Sequence, residues 1–424
     1  MSVTSVHHAS GTGSAAYIEE LEMNTLPQKT DGSQSIHTTN EPSRNLSQAS
    51  FKLSQTKSQR MWTNVQFASC CFSLFLAGWN DGTTGPLLPR IQEVYHVNFA
   101  VVSLIFVFAC VGFISGAFLN FAVTDRLGFG KVVAYALEAA GGSVPFPVFV
   151  LGYTINGIGM ALQDAQANGY VAGLRDNAEA KMGMLHAAYG AGAFCSPLVA
   201  TQFAQAERWS FHYLVSLGIA LLNTVILIAV FRLKSQDECL AQIGQAAQEQ
   251  GTSTDSKIRQ VLSLKAVHLL AFFILVYVGV EVTIGGWIVT FIRDVRGGGA
   301  SSGYISAGFF GGLMVGRVAL LWVNKMVGER RVLFVYSILA IGLELIIWLV
   351  PSLIGDGVAV SIVGVLLGPI YPIVMNESSR ILPRWLLTGS IGWIAGFGQA
   401  GSALFPFITG ALASKVGIKS LQPL

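Results

Sequence analysis

The chain has 424 residues, of which 52% are hydrophobic and only 12% charged, with a net charge of +3 and a mean hydropathy of +0.56. Ordinary soluble domains carry about 25% charged residues, so this composition excludes a water-facing globular surface and selects lipid as the solvent for most of the chain. The basic residues stand at the ends of apolar runs instead of forming a stripe, which argues against a nucleic-acid partner and for a role in orienting the chain in a bilayer.

Residues Met1 to Arg60 are rich in Ser, Thr, Gln and Asn and hold no long apolar run, which predicts a disordered tail over 1–60 without the apolar core of a signal peptide. The basic end of this tail, with Arg44, Lys52, Lys57 and Arg60, abuts the first apolar run and predicts a cytosolic N-terminus. The Asn-x-Ser matches at Asn45 and Asn376 then fall on the cytosolic side, so neither is read as a glycosylation site.

Apolar stretches long enough to cross about 30 Å of hydrocarbon follow. They lie near Gln66 to Leu88, Val101 to Val123, Phe146 to Val171, Met182 to Phe203 and Phe211 to Phe231, then near Val267 to Ile292, Tyr304 to Val323, Val332 to Val350, Val358 to Val374 and Trp385 to Ala413. A shorter apolar segment, Val132 to Gly142, reaches about half way across at about 1.5 Å per residue. Counting it as the third span puts most basic residues on the cytosolic side, so the charge asymmetry argues that it crosses. The organisation predicted is a tail over 1–60, a first membrane bundle over 61–231, a polar cytosolic linker over 232–265 and a second, truncated bundle over 266–424.

The halves repeat. Gly78-Trp-Asn-Asp-Gly-Thr-Thr-Gly85 aligns with Gly279-Val-Glu-Val-Thr-Ile-Gly-Gly286, Gly116, Gly128 and Lys131 with Gly316, Gly328 and Arg331, and Gly190-Ala-Gly192 with Gly396-Phe-Gly398. Matches in the same order along the helix series indicate a duplicated helical unit, a construction common among secondary transporters.

Ionisable residues inside spans are costly and mark solute or ion pathways. Asp81 lies in the first span, flanked by Trp79, Asn80 and Thr84. In the fourth, Asn156, Gln163, Asp164 and Asn168 fall on one side of a helix at 100° per residue, a face unsuited to lipid. Glu281 is the repeat partner of Asn80, and Arg317 is a base deep in the next span, so the two are expected to neutralise each other. His186, Tyr189 and Gln399 sit on the glycine-rich fifth and eleventh spans, and Pro369, Tyr371 and Pro372 are expected to break the tenth. A structural reading competes at every one of these positions: a helix end meeting water, a self-satisfied amide cluster, a packed histidine. The five cysteines predict neither a disulfide framework nor a metal site, no cofactor is expected, and no enzyme motif stands out.

Three stretches carry a resemblance: Gly78 to Pro89, Asp125-Arg-Leu-Gly-Phe-Gly-Lys131 and Leu162-Gln-Asp-Ala-Gln-Ala-Asn-Gly169. From about Trp62 onward the chain resembles the major facilitator superfamily, its fucose-permease-like branch and the fungal members related to the yeast bypass-of-stop-codon protein. The resemblance implies an all-α membrane protein of two pseudo-symmetric six-helix bundles, here with the third helix shortened and the final helix missing. It further implies a cavity between the bundles, alternating access by rocking, and proton coupling through a first-helix and a fourth-helix acid, at the positions of Asp81 and Asp164. Asp125, Arg126 and Lys131 match the superfamily's loop signature and are expected to latch neighbouring helix ends. The function expected is transport of a small polar solute, with protons and the bilayer as partners and a monomer as the default state. A non-transporting receptor or sensor, or an inactive truncated fragment, is the competing reading.

Overall fold

The computed structural model describes residues 56–127, 145–174, 176–245, 254–383 and 386–422. The side chains of Asp125 and Arg126, together with Lys131, Glu138 and the short segment from Val132 to Gly142, lie outside the described residues.

Each of the longer apolar runs folds as helix, because in lipid every backbone polar group must be satisfied within the segment. In the first half these are α1 (Lys57–Tyr95), α2 (Leu104–Leu127), α3 (Phe146–Ala172), α4 (Ala178–Ala204) and α5 (Phe211–Phe231). In the second they are α6 (Lys265–Arg296), α7 (Gly303–Ala319), α8 (Glu329–Leu349), α9 (Leu353–Leu367), α10 (Ile370–Ile381) and α11 (Leu387–Val416). Seven described spans are long and apolar enough to cross a membrane, with α9 and α10 counted together as one, or eight if α7 and the helix after it, bent by 54°, form one crossing. The α9–α10 break falls at Gly368 and Pro369, as the proline pattern predicts.

α1 opens on a capping box, in which the Gln59 N–H donates to the Thr56 hydroxyl at 3.2 Å and the Thr56 N–H donates to Gln59 Oε1 at 2.9 Å. It begins at Lys57, inside the stretch read from sequence as tail. The linker contributes two short helices, Gln236–Gln242 and Thr254–Ser263. The first seats Cys239 and Leu240, with Ile243 just beyond it, in a core formed with Cys70, Leu74, Tyr170, Leu185 and Phe231 of the first half. The second places Val261 in the core that includes α6 and α11.

The repeat read from sequence recurs as a repeat of contacts. α1 packs along α4 as α6 packs along α11, α2 along α3 as α7 along α9, and between halves α4 meets α7 while α2 meets α11. A Cβ placed on Gly112 would collide with the Thr154 carbonyl oxygen, and one on Gly312 with that of Ser361. Gly116 and Gly316 meet Ile158 and Val365 in the same way, and Gly192 and Gly401 meet Phe75 and Leu275. Small residues here let backbones approach where no hydrophobic force distinguishes helix from lipid. The second-half counterpart of Gly192 by contact is thus Gly401 and not Gly398, the residue matched by sequence. Gly116 and Thr154 are 38 residues apart and Gly316 and Ser361 45 apart, so the first-half stretch holding the short apolar segment is seven residues shorter than its counterpart.

The halves meet at the Tyr95 end of α1. Leu87, Leu88, Ile91 and Trp209 share one apolar core with Ile284, Trp287 and Ile288, whereas the core at the Lys57 end contains only first-half and linker residues. Trp287 of α6 lies against Phe99 and Phe106, with ring centroids 5.9 and 6.3 Å away. Gly85 approaches the Gly285 carbonyl closely enough to exclude a Cβ. Gln202 of α4 donates to the Tyr304 hydroxyl of α7, and Arg293 of α6 donates to Glu93 of α1 at 2.9 Å.

Glu93 lies beyond the apolar run of α1 and also pairs with Arg90 at 3.2 Å. Burial works to raise its carboxyl, but hydrogen bonds from Arg293 and Arg90 outweigh it and hold Glu93 below the usual carboxylate range. The bridged state therefore favours the ionised form: its contribution is complete above the ordinary carboxylate value and is lost as pH falls through the lowered one. Acidification to about pH 3 is expected to loosen the Tyr95 end modestly, because the pair is exposed. Spin labels on Val94 and Gly299 should then report a longer mean distance, and in Glu93→Gln that distance should no longer respond in this range.

Candidate functional site

The polar residues of the spans gather near the middle of the helices, where α1, α3 and α4 face α6, α7 and α10. Asp81 of α1 is half-buried, and the Tyr189 hydroxyl of α4 donates to its Oδ2 at 2.6 Å. The face of the Tyr189 ring carries the Arg317 guanidinium of α7, 5.6 Å from the centroid. Arg317 Nη1 donates to the His186 carbonyl at 3.1 Å, one turn before Tyr189 on α4. Arg317 Nη2 lies 3.9 Å from Glu281 Oε1, and both side chains are nine-tenths buried. A chain of contacts therefore runs from a first-half acid through a tyrosine to a second-half base and its acid.

Around this chain stand the remaining polar groups. Asn156 of α3 donates to Asn80 Oδ1, and Asn80 donates in turn to the Met160 sulfur at 3.0 Å. One and two turns further along the same side of α3, Asp164 accepts from Asn168 at 2.9 Å. Gln163 is buried beside Asp164. The His186 ring lies 6.0 Å from that of Tyr371 on α10, and the buried Tyr277 of α6 donates to the Leu367 carbonyl at 3.0 Å.

The pairing of Glu281 with Arg317 expected from sequence is present, though at a length beyond a hydrogen bond. Trp79 lies elsewhere. Two residues from Asp81 is 200° of helical rotation, and the indole points into α5, where it donates to Ser216 at 2.9 Å and stacks on His212 at 5.8 Å. Thr83, one turn on, joins that second polar seam through Ser196 at 2.7 Å and His212 at 3.0 Å. Gln399 bonds within α11, accepting from Ser402 at 3.4 Å, and no described bond joins it to the central chain.

Tyr277 is the central residue that the sequence reading does not name, while Tyr189 and Tyr371 are named there without the contacts that make them central. Tyr189 and Tyr371 carry a weak signal beside the glycines and prolines of their spans, and Tyr277 stands one turn before Glu281. The repeat offset also points to a charged cluster at the second-half counterpart of the Asp125, Arg126 and Lys131 signature. There Arg330 pairs with Glu377 and Arg380 pairs with Glu329 at 2.6 Å, tying the start of α8 to the end of α10.

The family model of the Major Facilitator Superfamily matches residues 70–406. The chain is 23% identical over 393 residues to Bypass of stop codon protein 6 of Saccharomyces cerevisiae, covering 85% of this chain and 79% of that protein. It is 25% identical over 395 residues to a Glucose/galactose transporter of Brucella abortus, covering 86% and 91%. Its fold matches the crystal structure of the E. coli Fucose:proton symporter, FucP, with a TM-score of 0.59 at 15% identity over 84% of this chain and 94% of that one.

Proposed function

Because the chain belongs to the major facilitator superfamily, a family of membrane transporters, we propose that it carries a small, hydroxylated solute of the hexose type by alternating access coupled to protons. One observation carries the reading: the contact chain Asp81, Tyr189, Arg317, Glu281 joins the two halves in the middle of the spans. Three carboxyl groups, Asp81, Asp164 and Glu281, stand there against one guanidinium. An ionised acid at that depth costs a few kcal/mol or more unless it is paired, hydrated or protonated. Proton uptake relieves the excess negative charge, and so do solute hydroxyls donating to the carboxylates. An anionic solute would add to it. The sugar class is supported by the name of the Brucella abortus relative and by the amides of Asn80, Asn156 and Asn168 beside the acids.

Taking the charge asymmetry as the guide to orientation, the Lys57 end faces the cytosol and the closed Tyr95 end faces away from it. In this orientation the end at which the halves share a core faces outward, and a proton reaching Asp81 or Asp164 is expected from the cytosolic side. Rocking of the halves then exchanges access while the central chain re-forms on the other side of the cycle.

The test is counterflow of radiolabelled D-glucose into proteoliposomes holding the full chain. Preloaded vesicles should accumulate label transiently, and vesicles with an imposed pH gradient should accumulate it against concentration. Glucose binding without counterflow would overturn transport in favour of a sensor. Neither binding nor flux for a panel of neutral hexoses would overturn the sugar class.

A further inference from the structure

Tyr189 touches both charges of opposite sign that the two halves contribute. Its hydroxyl is spent on Asp81 at 2.6 Å, and its ring face on Arg317 at 5.6 Å. Arg317 is held unevenly. It donates to the His186 carbonyl at 3.1 Å and lies on the Tyr189 ring, both on α4, yet it stands 3.9 Å from Glu281 of its own half, and its buried Nε has no partner among the described residues. The second-half base is thus bound more closely to the first half than to its own acid. The α4–α7 seam permits this approach: Met314 meets Gly190, and Phe194 meets Gly311, at distances that leave little room for a Cβ.

We propose that Tyr189 is a positioning residue that couples proton occupancy of Asp81 in the first half to the grip on Arg317 in the second. The proposal rests on the reading of Asp81 as a proton site. A phenol donating to a carboxylate is polarised by it, and its ring face becomes the better cation binder. When a proton from water adds to a carboxyl oxygen of Asp81, the acceptor weakens and the ring loses that enrichment. Arg317 is then freer to close the gap to Glu281. The charged and titratable groups facing Asp81 are Tyr189 of α4, Asp164 of α3 and Glu281 of α6, with Arg317 of α7 behind the Tyr189 ring and His186 and Tyr371 beyond it. Coupling is reciprocal, so a change at Arg317 must be felt at Asp81 through the same ring.

The experiment is pH-titrated infrared difference spectroscopy of the full chain in proteoliposomes, with the protonated-carboxyl band of Asp81 assigned by its loss in Asp81→Asn. Tyr189→Phe keeps the ring and its volume but removes the donor. The Asp81 band should move to higher frequency, because the protonated form loses a donor to its carbonyl, and its midpoint should rise by about one pH unit, because the charged form loses the stronger hydrogen bond. Arg317→Gln should also displace the midpoint, and that displacement should at least halve in a Tyr189→Leu background, where the ring is gone. An Asp81 band unmoved in frequency and midpoint by Tyr189→Phe would overturn the proposal, and so would an Arg317→Gln displacement equal in both backgrounds. If Asp81→Asn removes no titrating band, the proton-site reading itself falls and takes this proposal with it. That outcome is distinct from a titrating Asp81 that ignores Tyr189. Should the leucine variant fail to fold, the Arg317→Gln displacement is read in the Tyr189→Phe background, where the hydrogen bond that carries the coupling is gone and the displacement should likewise at least halve.

Discussion

Asp81→Asn is expected to abolish proton-driven accumulation while sparing exchange. Each pH unit across the membrane stores about 1.4 kcal/mol per proton, enough for roughly tenfold accumulation of a neutral solute moved with one proton. With an amide at position 81 there is no carboxyl to take up and release that proton, while the Tyr189 hydroxyl still finds an acceptor in the amide oxygen, so the helix packing is retained. In proteoliposomes under an imposed gradient, the inside-to-outside ratio of D-glucose should fall from about tenfold per pH unit to about one. Counterflow at equal pH should persist. Gradient-driven accumulation that survives in Asp81→Asn would move the coupling site elsewhere, with Asp164 the next acid to test.

Gly192→Ala is expected to rank with Gly78→Ala among the most destabilising single methyl additions to the first half. The new Cβ would overlap the Phe75 carbonyl oxygen and crowd the Trp79 N–H, both of them α1 backbone. Backbone of a packed helix cannot turn aside as a side-chain tip can, so α1 and α4 must separate along the most extensive seam of that half. The cost is about 3 kcal/mol, at the upper end for overpacking, and should appear as a lower thermal midpoint and a lower yield of monodisperse protein in detergent. Gly401→Ala, at the same contact in the second half, should behave alike. Gly396→Ala is the control: its added Cβ meets nothing within 4 Å among the described residues, and its stability should not fall, rising by at most about 1 kcal/mol from the gain in helix propensity.

Much of the architecture is legible in the sequence because lipid leaves few solutions. A run of apolar residues must be a helix, and an acid or amide within it must face other protein. Asp81, Asp164, Glu281 and Arg317 announce themselves this way. The sequence places residues along a helix far better than around it. Trp79 shares a turn with Asp81 but points to α5, a difference of direction that a list of neighbours hides. The glycine match fails for a related reason. α11 carries glycines at 389, 392, 396, 398, 401 and 410, so a two-glycine pattern fits in more than one register, and only the carbonyl it meets, Leu275 against Phe75, selects Gly401. The role of Tyr189 escapes because an aromatic in a span is ordinarily packing, and that role depends on two partners from two other helices.

The backbone contact of Gly85 with Gly285 has a mechanical consequence. Two helices that touch without side chains between them form a bearing, and α1 extends unequally on its two sides. At about 1.5 Å per residue, Lys57 lies roughly 42 Å from that bearing and Tyr95 roughly 15 Å. A rigid tilt of about 10° therefore sweeps the Lys57 tip through about 7 Å but lifts the Tyr95 tip by less than 3 Å, too little to admit a sugar ring. The short arm needs a second degree of freedom. α1 has one in place, since Pro86 directly after Gly85 and Pro89 one turn on leave the helical ladder short of two donors on that side. The long arm can swing as a lever, while the short arm has to flex.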